Sequence, residues 1–232
     1  MKLLEKDITQ TIEEMYLIET LNLNDKKILE LGCGAAAMTK KIAENGFGRE
    51  IVACEVDKIQ HKMNLELDYE NIEFKLCGAE NIDLPDNSID FVFMFKSFHH
   101  IPKNLMPKAL SEIKRVLKPN GLAYISEPLF QGPQNELVAI FHDEEQVRKD
   151  AFEAIKDSVE KDEFKLFREV FFQTEITYKN FEDFEKKQMN LSYNDNNINE
   201  EIRQKVLKKY ENLGGGELTL LKPFRVDILQ KF

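Results

Sequence analysis

Long apolar runs are missing from this chain. No stretch approaches the roughly 18 residues that cross a bilayer, and the first residues carry no apolar h-region, so no membrane span is expected and the expected address is cytoplasmic. Cysteine is scarce, with only Cys33, Cys54 and Cys77, and these lack the paired spacings of a metal centre. Each falls in or beside an expected parallel strand, so they read as buried thiols, and no metal is expected. Basic charge is also in deficit: 32 Lys and Arg stand against 42 Asp and Glu, for a formal net charge of −10. That field repels polyanions and disfavours a nucleic-acid partner. Histidine is rarer than most residues that do chemistry, with four in the chain.

What is present is ordinary for a globular α/β chain. The 232 residues are 42% hydrophobic and 32% charged, enough for one domain with a substantial core. The organising stretch runs from Ile28 to Thr39: a short apolar run, a break at Gly32 and Gly34, then a helical pattern. Glycine there permits positive φ and close approach of a ligand to the main chain. The following helix points unpaired N–H groups and its positive dipole end into the turn, which suits a carboxylate or phosphate. Two glycines also serve as a plain strand-to-helix connection. Two acids argue for more. Glu30 stands at the mouth of the turn, where it repels a pyrophosphate and welcomes an ammonium group. Glu55 ends the next strand, where a doubly wound sheet offers a carboxylate to ribose hydroxyls.

The pattern then alternates: strands at 27–31, 50–55, 72–76, 89–95 and 122–127, with helices at about 36–45, 57–66 and 103–117. Alternation implies parallel strands joined by right-handed crossovers, with ligands held at the carboxyl ends of the strands. Glu30, Glu55, residues 77–80 and residues 95–100 all fall on that edge. An amphipathic helix is expected over 3–23, ahead of the first strand. Pro119-Asn120-Gly121 reads as a turn that ends a helix and starts a strand.

Glu30-Leu-Gly-Cys-Gly with Glu55, Leu84-Pro-Asp-Asn-Ser-Ile-Asp90, Phe98-His-His-Ile101 and Arg115-Val-Leu-Lys-Pro-Asn-Gly121 occur in that order. Over residues 26–127 this set resembles the class I S-adenosylmethionine-dependent methyltransferases, of the small-molecule type 11 sort. The resemblance implies a Rossmann-like, doubly wound sheet of seven strands, mostly parallel, with an antiparallel C-terminal hairpin and helices on both faces. It implies S-adenosylmethionine as cofactor, S-adenosylhomocysteine as product and a small-molecule acceptor, in a monomer or homodimer. On its pattern Glu30 serves the methionine ammonium, and Gly32, Cys33 and Gly34 form the turn against it. Glu55 takes the ribose hydroxyls and Val56 lies against the adenine. Gly78, Ala79 and Glu80 lie near the adenine too, Ala79 through its N–H and Glu80 through its carboxylate, with Phe95 and Lys96 at the methionine end. The chain departs from the pattern twice: the third glycine is Ala36, which suits a helix start, and the aspartate near the adenine is Gly78.

Beyond residue 128 the likeness weakens. A helix is expected over about 135–160, a strand over 166–178, a helical insertion over 180–213 with an Asn-rich join at 194–199, and a final strand over 217–229 broken at Pro223. The domain therefore reads as an N-terminal helix within 1–25, a cofactor core at 26–127 and substrate-side elements at 128–232, with the insertion a candidate lid.

Methyl transfer from a sulfonium is an in-line displacement, so alignment and exclusion of water are the protein's main tasks. A base is needed only for a protonated acceptor. The candidates are His99, His100 and His142, with His142 expected on an exposed helix face. Lys96 could pair with an acidic substrate. Two other functions fit parts of the pattern. Gly32-x-Gly34-x-x-Ala37 also satisfies the dinucleotide fingerprint of an NAD(P)-dependent oxidoreductase, and a non-catalytic S-adenosylmethionine-binding protein would keep the same acids.

Overall fold

The structure is a computed structural model that describes residues 1–190 and 198–232. Four parallel strands follow from short apolar runs buried on both faces, β1 (Lys27–Leu31), β2 (Glu50–Glu55), β4 (Ile89–Phe95) and β5 (Leu117–Pro128), and a fifth, β3 (Ile72–Leu76), is an alternating edge strand with no fully buried residue. Two long strands complete the sheet, β6 (Lys165–Tyr178) and β7 (Leu218–Gln230). The order is β3-β2-β1-β4-β5-β7-β6, with β7 antiparallel to both β5 and β6. Strand order reverses between β1 and β4, which opens a crevice at their carboxyl ends.

Successive side chains of the central strands serve opposite faces. Phe91, Phe93 and Phe95 stack along one face and meet Tyr124, together with Ile18 of α1 (Glu14–Glu19) and Ile42 of α2 (Ala37–Glu44). Val92 and Met94 point the other way, onto Leu110 and Ile113 of α4 (Met106–Val116) and Ile155 of α6 (Glu145–Glu160). α3 (Lys58–Asn64) is capped by the Asp57 carboxylate, which accepts from the N–H groups of Ile59 and Gln60. A third core gathers α5 (Gly132–Val138), α7 (Phe181–Phe184), a π-helical turn over Glu185–Met189 and α8 (Glu200–Asn212) around Tyr178, Phe184 and Tyr210.

Several expectations are corrected. The helix foreseen over 3–23 shrinks to α1, because the β-branched stretch around Thr9 and Thr11 instead runs along β6. Gln173 donates to the Gln10 carbonyl and Ile12 donates to Gln173. This strap covers part of an edge strand. Pro119-Asn120-Gly121 lies within β5, with Asn120 at φ +64° and a register shift opposite Ile89–Phe91. The helix foreseen over 135–160 is two helices, α5 and α6, separated at 139–144. Pro223 does not break β7. Its carbonyl accepts from Leu129, so its nitrogen also faces the β5 side, where pairing has already ended at Pro128 and Phe224.

Cys54 and Cys77 form a disulfide, Cα atoms 5.4 Å apart, while Cys33 stays a buried thiol. Parallel pairing of Cys54 with Lys75 brings position 77 beside it, a proximity that spacing along the chain does not reveal. Between β6 and β7 the described residues form α7, the π-helical turn and α8, and Asn199 caps α8 by accepting from Ile202. The rest of the Asn-rich join, 194–197, lies outside the described residues.

Candidate active site

The glycine turn closes the carboxyl end of β1. Gly32 and Gly34 have φ of +73° and +52°, and the N–H groups of Gly32 and Cys33 both donate to the Cys54 carbonyl at 2.9 Å. A Cβ at position 32 would come within 2.7 Å of the Ser97 Cβ, so that glycine permits β1 and β4 to close together. A Cβ at position 34 would meet nothing within 4 Å, so that glycine faces open space. Ala36 occupies the left-handed region, φ +58° and ψ +30°, at the cap of α2. Its backbone thus takes the conformation that suits glycine, which corrects the expectation that alanine fits there at little cost.

Glu30 is 2% exposed, its Oε2 accepting the Thr39 hydroxyl at 2.6 Å. Burial pushes its pKa up to about 8, the nearby carboxylates of Glu14 and Glu55 add to the rise, and Thr39 and Lys96 oppose it. Glu55 is held by three amides: Oε2 accepts from Gly34 at 2.7 Å, and Oε1 from Val56 at 2.8 Å and Asp57 at 2.9 Å. Beyond it Val56, Ile59 and Met63 leave 65%, 76% and 57% of their surfaces exposed, an apolar shelf at the end of β2. The Glu80 carboxylate fills the volume that a Cβ at Gly78 would need, so a carboxylate reaches that place from two residues further on. Ala79 is buried beside it. The Cys33 sulfur packs against Asn64, and Phe95 stacks on Phe93 and Tyr124 in the core, so both bring only their main chains to the edge. Lys96 is exposed, at φ +56°, with its N–H on the Ser126 carbonyl.

The histidines converge on the same edge. Phe98–His100 form a 3-10 turn past β4, and Glu127 at the end of β5 anchors it. Glu127 Oε1 accepts from the N–H groups of Phe98 at 3.0 Å and His99 at 3.3 Å, and its Oε2 contacts His99 Nδ1. The other ring nitrogen of His99 lies 3.4 Å from Glu144 Oε1, in the break between α5 and α6. His142 reaches the same oxygen at 2.9 Å, and Arg148 binds Glu144 Oε2 at 2.5 Å. His100 packs on His99 with ring centroids 4.0 Å apart. Burial alone would lower the His99 pKa, but Glu127 and Glu144 overcome it and hold it near 9. Burial and the adjacent His99 lower that of His100. His142 is therefore part of the cluster, 30% exposed, which corrects its expected place on a solvated helix face. A partly buried Lys222 completes the wall, its pKa lowered to about 8 by burial and by the cations of Lys96 and Arg148.

Residues 29–125 match the sequence model of a family described as a methyltransferase domain. The chain is thus similar to a methyltransferase domain over about two fifths of its length. An uncharacterised methyltransferase-like protein of Schizosaccharomyces pombe is 34% identical over 115 residues, 49% of this chain and 41% of that protein. A ubiquinone/menaquinone biosynthesis C-methyltransferase of Hahella chejuensis is 30% identical over 122 residues, 50% of this chain and 47% of the enzyme. The chain thus spans less than half the length of either relative. The fold of the YcgJ protein of Bacillus subtilis superposes with a TM-score of 0.65 at 15% identity, covering 94% of this chain and 97% of that one. S-adenosylmethionine is the cofactor of methyltransferase domains of this kind, and the residues present fit it. A buried acid that no cation contacts among the described residues, a glycine open to the cleft and an apolar shelf answer its ammonium, its main-chain approach and its purine.

Four residues of the cleft carry no signal in the motifs. Glu14, whose carboxylate accepts the Tyr124 hydroxyl, arrives from the first turn of α1. Glu127, Glu144 and Arg148 arrive from β5 and from α6 with its approach. The helix break at 139–144 was the one legible clue, because the polar His142-Asp143-Glu144 interrupts an otherwise apolar spacing. Among the described residues, no helix is long and apolar enough to cross a membrane.

Proposed function

We propose that the chain methylates a small molecule whose nucleophilic atom is presented at the cluster of His99, His100 and His142. The observation that carries this reading is the convergence of these histidines with Glu127 and Glu144 at the strand ends next to the glycine turn. When bound, S-adenosylmethionine supplies a methyl group on a sulfonium, a leaving group that needs no acid. Glu30 binds the ammonium, and Gly32 and Gly34 admit the chain of the ligand against their backbone. Glu55, fixed by its three amides, receives the ribose hydroxyls, and Val56 covers the adenine with the Ala79 amide and the Glu80 carboxylate beside it. Lys96 borders the methionine end. The histidine cluster removes the proton of an amine or hydroxyl acceptor. A net charge of −10 favours an acceptor smaller than a nucleic acid.

The test is to incubate the purified protein with methyl-labelled S-adenosylmethionine and, separately, metabolite, protein and tRNA fractions of a cell extract. Label entering the metabolite fraction, and falling about a hundredfold in rate with His100→Ala, is the expected result. Label confined to tRNA or protein overturns it. Calorimetry gives the independent check on the cofactor half: Glu55→Ala should weaken S-adenosylhomocysteine binding at least tenfold.

A further inference from the structure

We infer that His99, His100 and Glu144 form a site for a divalent transition-metal ion, which binds the acceptor through its nucleophilic atom. One ligand atom from each of these residues lies within 4.8 Å of the other two. The His99 ring nitrogen and Glu144 Oε1 are already 3.4 Å apart, the separation of two ligands that share a tetrahedral ion at about 2.1 Å. His142, 2.9 Å from the same oxygen, is within reach as a fourth.

The surroundings are built as metal sites are built. Glu127 takes Nδ1 of His99 and also two main-chain N–H groups of its turn, which fixes the ring with its other nitrogen aimed at Glu144. A carboxylate behind a ligating imidazole is the usual support of such a ligand. Arg148 holds the far oxygen of Glu144, which leaves the near one facing the histidines. Two donors come from the turn past β4 and the third from the break before α6, so no single element's own folding explains their meeting. His99 is buried and His100 is exposed, so one side of the site is open for a substrate. Two imidazoles and one carboxylate suit zinc, iron(II), cobalt(II) or manganese(II) rather than magnesium or calcium. The expectation of no metal rested on cysteine spacing and did not weigh these donors.

The inference rests on the reading that the acceptor is presented at this cluster, and it supplies that reading with a chemistry. With the ion in place, a lone pair of the acceptor's oxygen or nitrogen would bind it and the acceptor's pKa would fall as that of bound water does; its O–H or N–H bond would then break with the proton passing to water, the role the histidines fill when no ion is held. The acceptor class is therefore an oxygen or nitrogen nucleophile that can coordinate.

The probe is cobalt(II), titrated into protein stripped with a chelator and followed by visible absorption and calorimetry. One equivalent should bind with tetrahedral-type absorption, and His100→Ala and Glu144→Gln should each weaken it at least tenfold while S-adenosylhomocysteine still binds. That second measurement shows that the variants are folded. No saturable cobalt binding, or binding indifferent to both substitutions, overturns the metal site and leaves the histidines as bare proton acceptors. Cobalt bound as expected by a protein that methylates no metabolite fraction would retain the site and overturn the proposed function instead.

Discussion

Glu30 holds a proton in the ligand-free chain near neutral pH, because burial raises its pKa to about 8. A cation docking against it favours the ionised form, so cofactor binding at pH 7 should release a proton from this carboxyl. The sign is testable by calorimetry in two buffers of different ionisation enthalpy: release of up to one proton with the native chain, and little with Glu30→Gln. Affinity should also rise between pH 6 and 8 in the native chain, as the proton to be displaced becomes easier to lose. Ala36 makes a second test. Its left-handed backbone costs about 1–2 kcal/mol in a residue with a Cβ, and the flexibility that glycine adds to the unfolded chain takes back part of that. Ala36→Gly should stabilise by about 0.5–1 kcal/mol in urea unfolding. Glu30 and Glu55 stand out in the sequence as candidates because each lies beside a glycine turn or a strand end. Glu14, Glu127 and Glu144 do not, since their role depends on neighbours more than ten positions away.

At the scale of elements, Arg115 explains why two of the recognisable motifs occur together. From the last turn of α4 its guanidinium donates to the carbonyls of Ile82 and Leu84 and to the carboxylates of Asp86 and Glu112. The loop before β4 is thus tied to the helix after it. Arg115→Ala strips two carbonyls of a charged donor and should destabilise the fold by about 2 kcal/mol. Cofactor affinity should stay within twofold, since none of these contacts faces the cleft. Chemical unfolding and calorimetry on the same sample separate the two. The central parallel strands were legible because a run buried on both faces is apolar throughout, and β3 because its apolar and charged residues alternate. The helix of 135–160 was misread because the apolar spacing resumes in phase after the break, so periodicity alone could not see residues 139–144 leave the helix. Pro223 was misread because the cost of a proline depends on which side of its strand is already paired.

For the whole molecule, the N-terminal strap joins parts distant in sequence. It donates from Lys2 to Glu169, its Leu3 carbonyl accepts from Arg225, its Glu5 carbonyl accepts from Gln131, and it pairs with Gln173 on β6. Removing residues 1–12 should uncover the β6 edge and shift the protein from its native size toward larger species in light scattering coupled to gel filtration. An unchanged mass would show that the edge needs no cover. The sheet's two ends also differ in how they were foreseen. The five parallel strands follow from local pattern, while the pairing of β6 and β7 across the insertion follows from the family resemblance alone.

The order β5-β7-β6 has a consequence for the chain as it is made. β6 is synthesised before β7, yet β7 is the strand that joins it to the rest of the sheet. At about 5–20 residues per second, β6 waits roughly 3–10 s on the ribosome for its neighbour. Throughout that interval the residues already available to pair with it are those of the strap, through Gln10 and Ile12. The same contact that covers an edge in the finished fold is placed to chaperone that strand during translation.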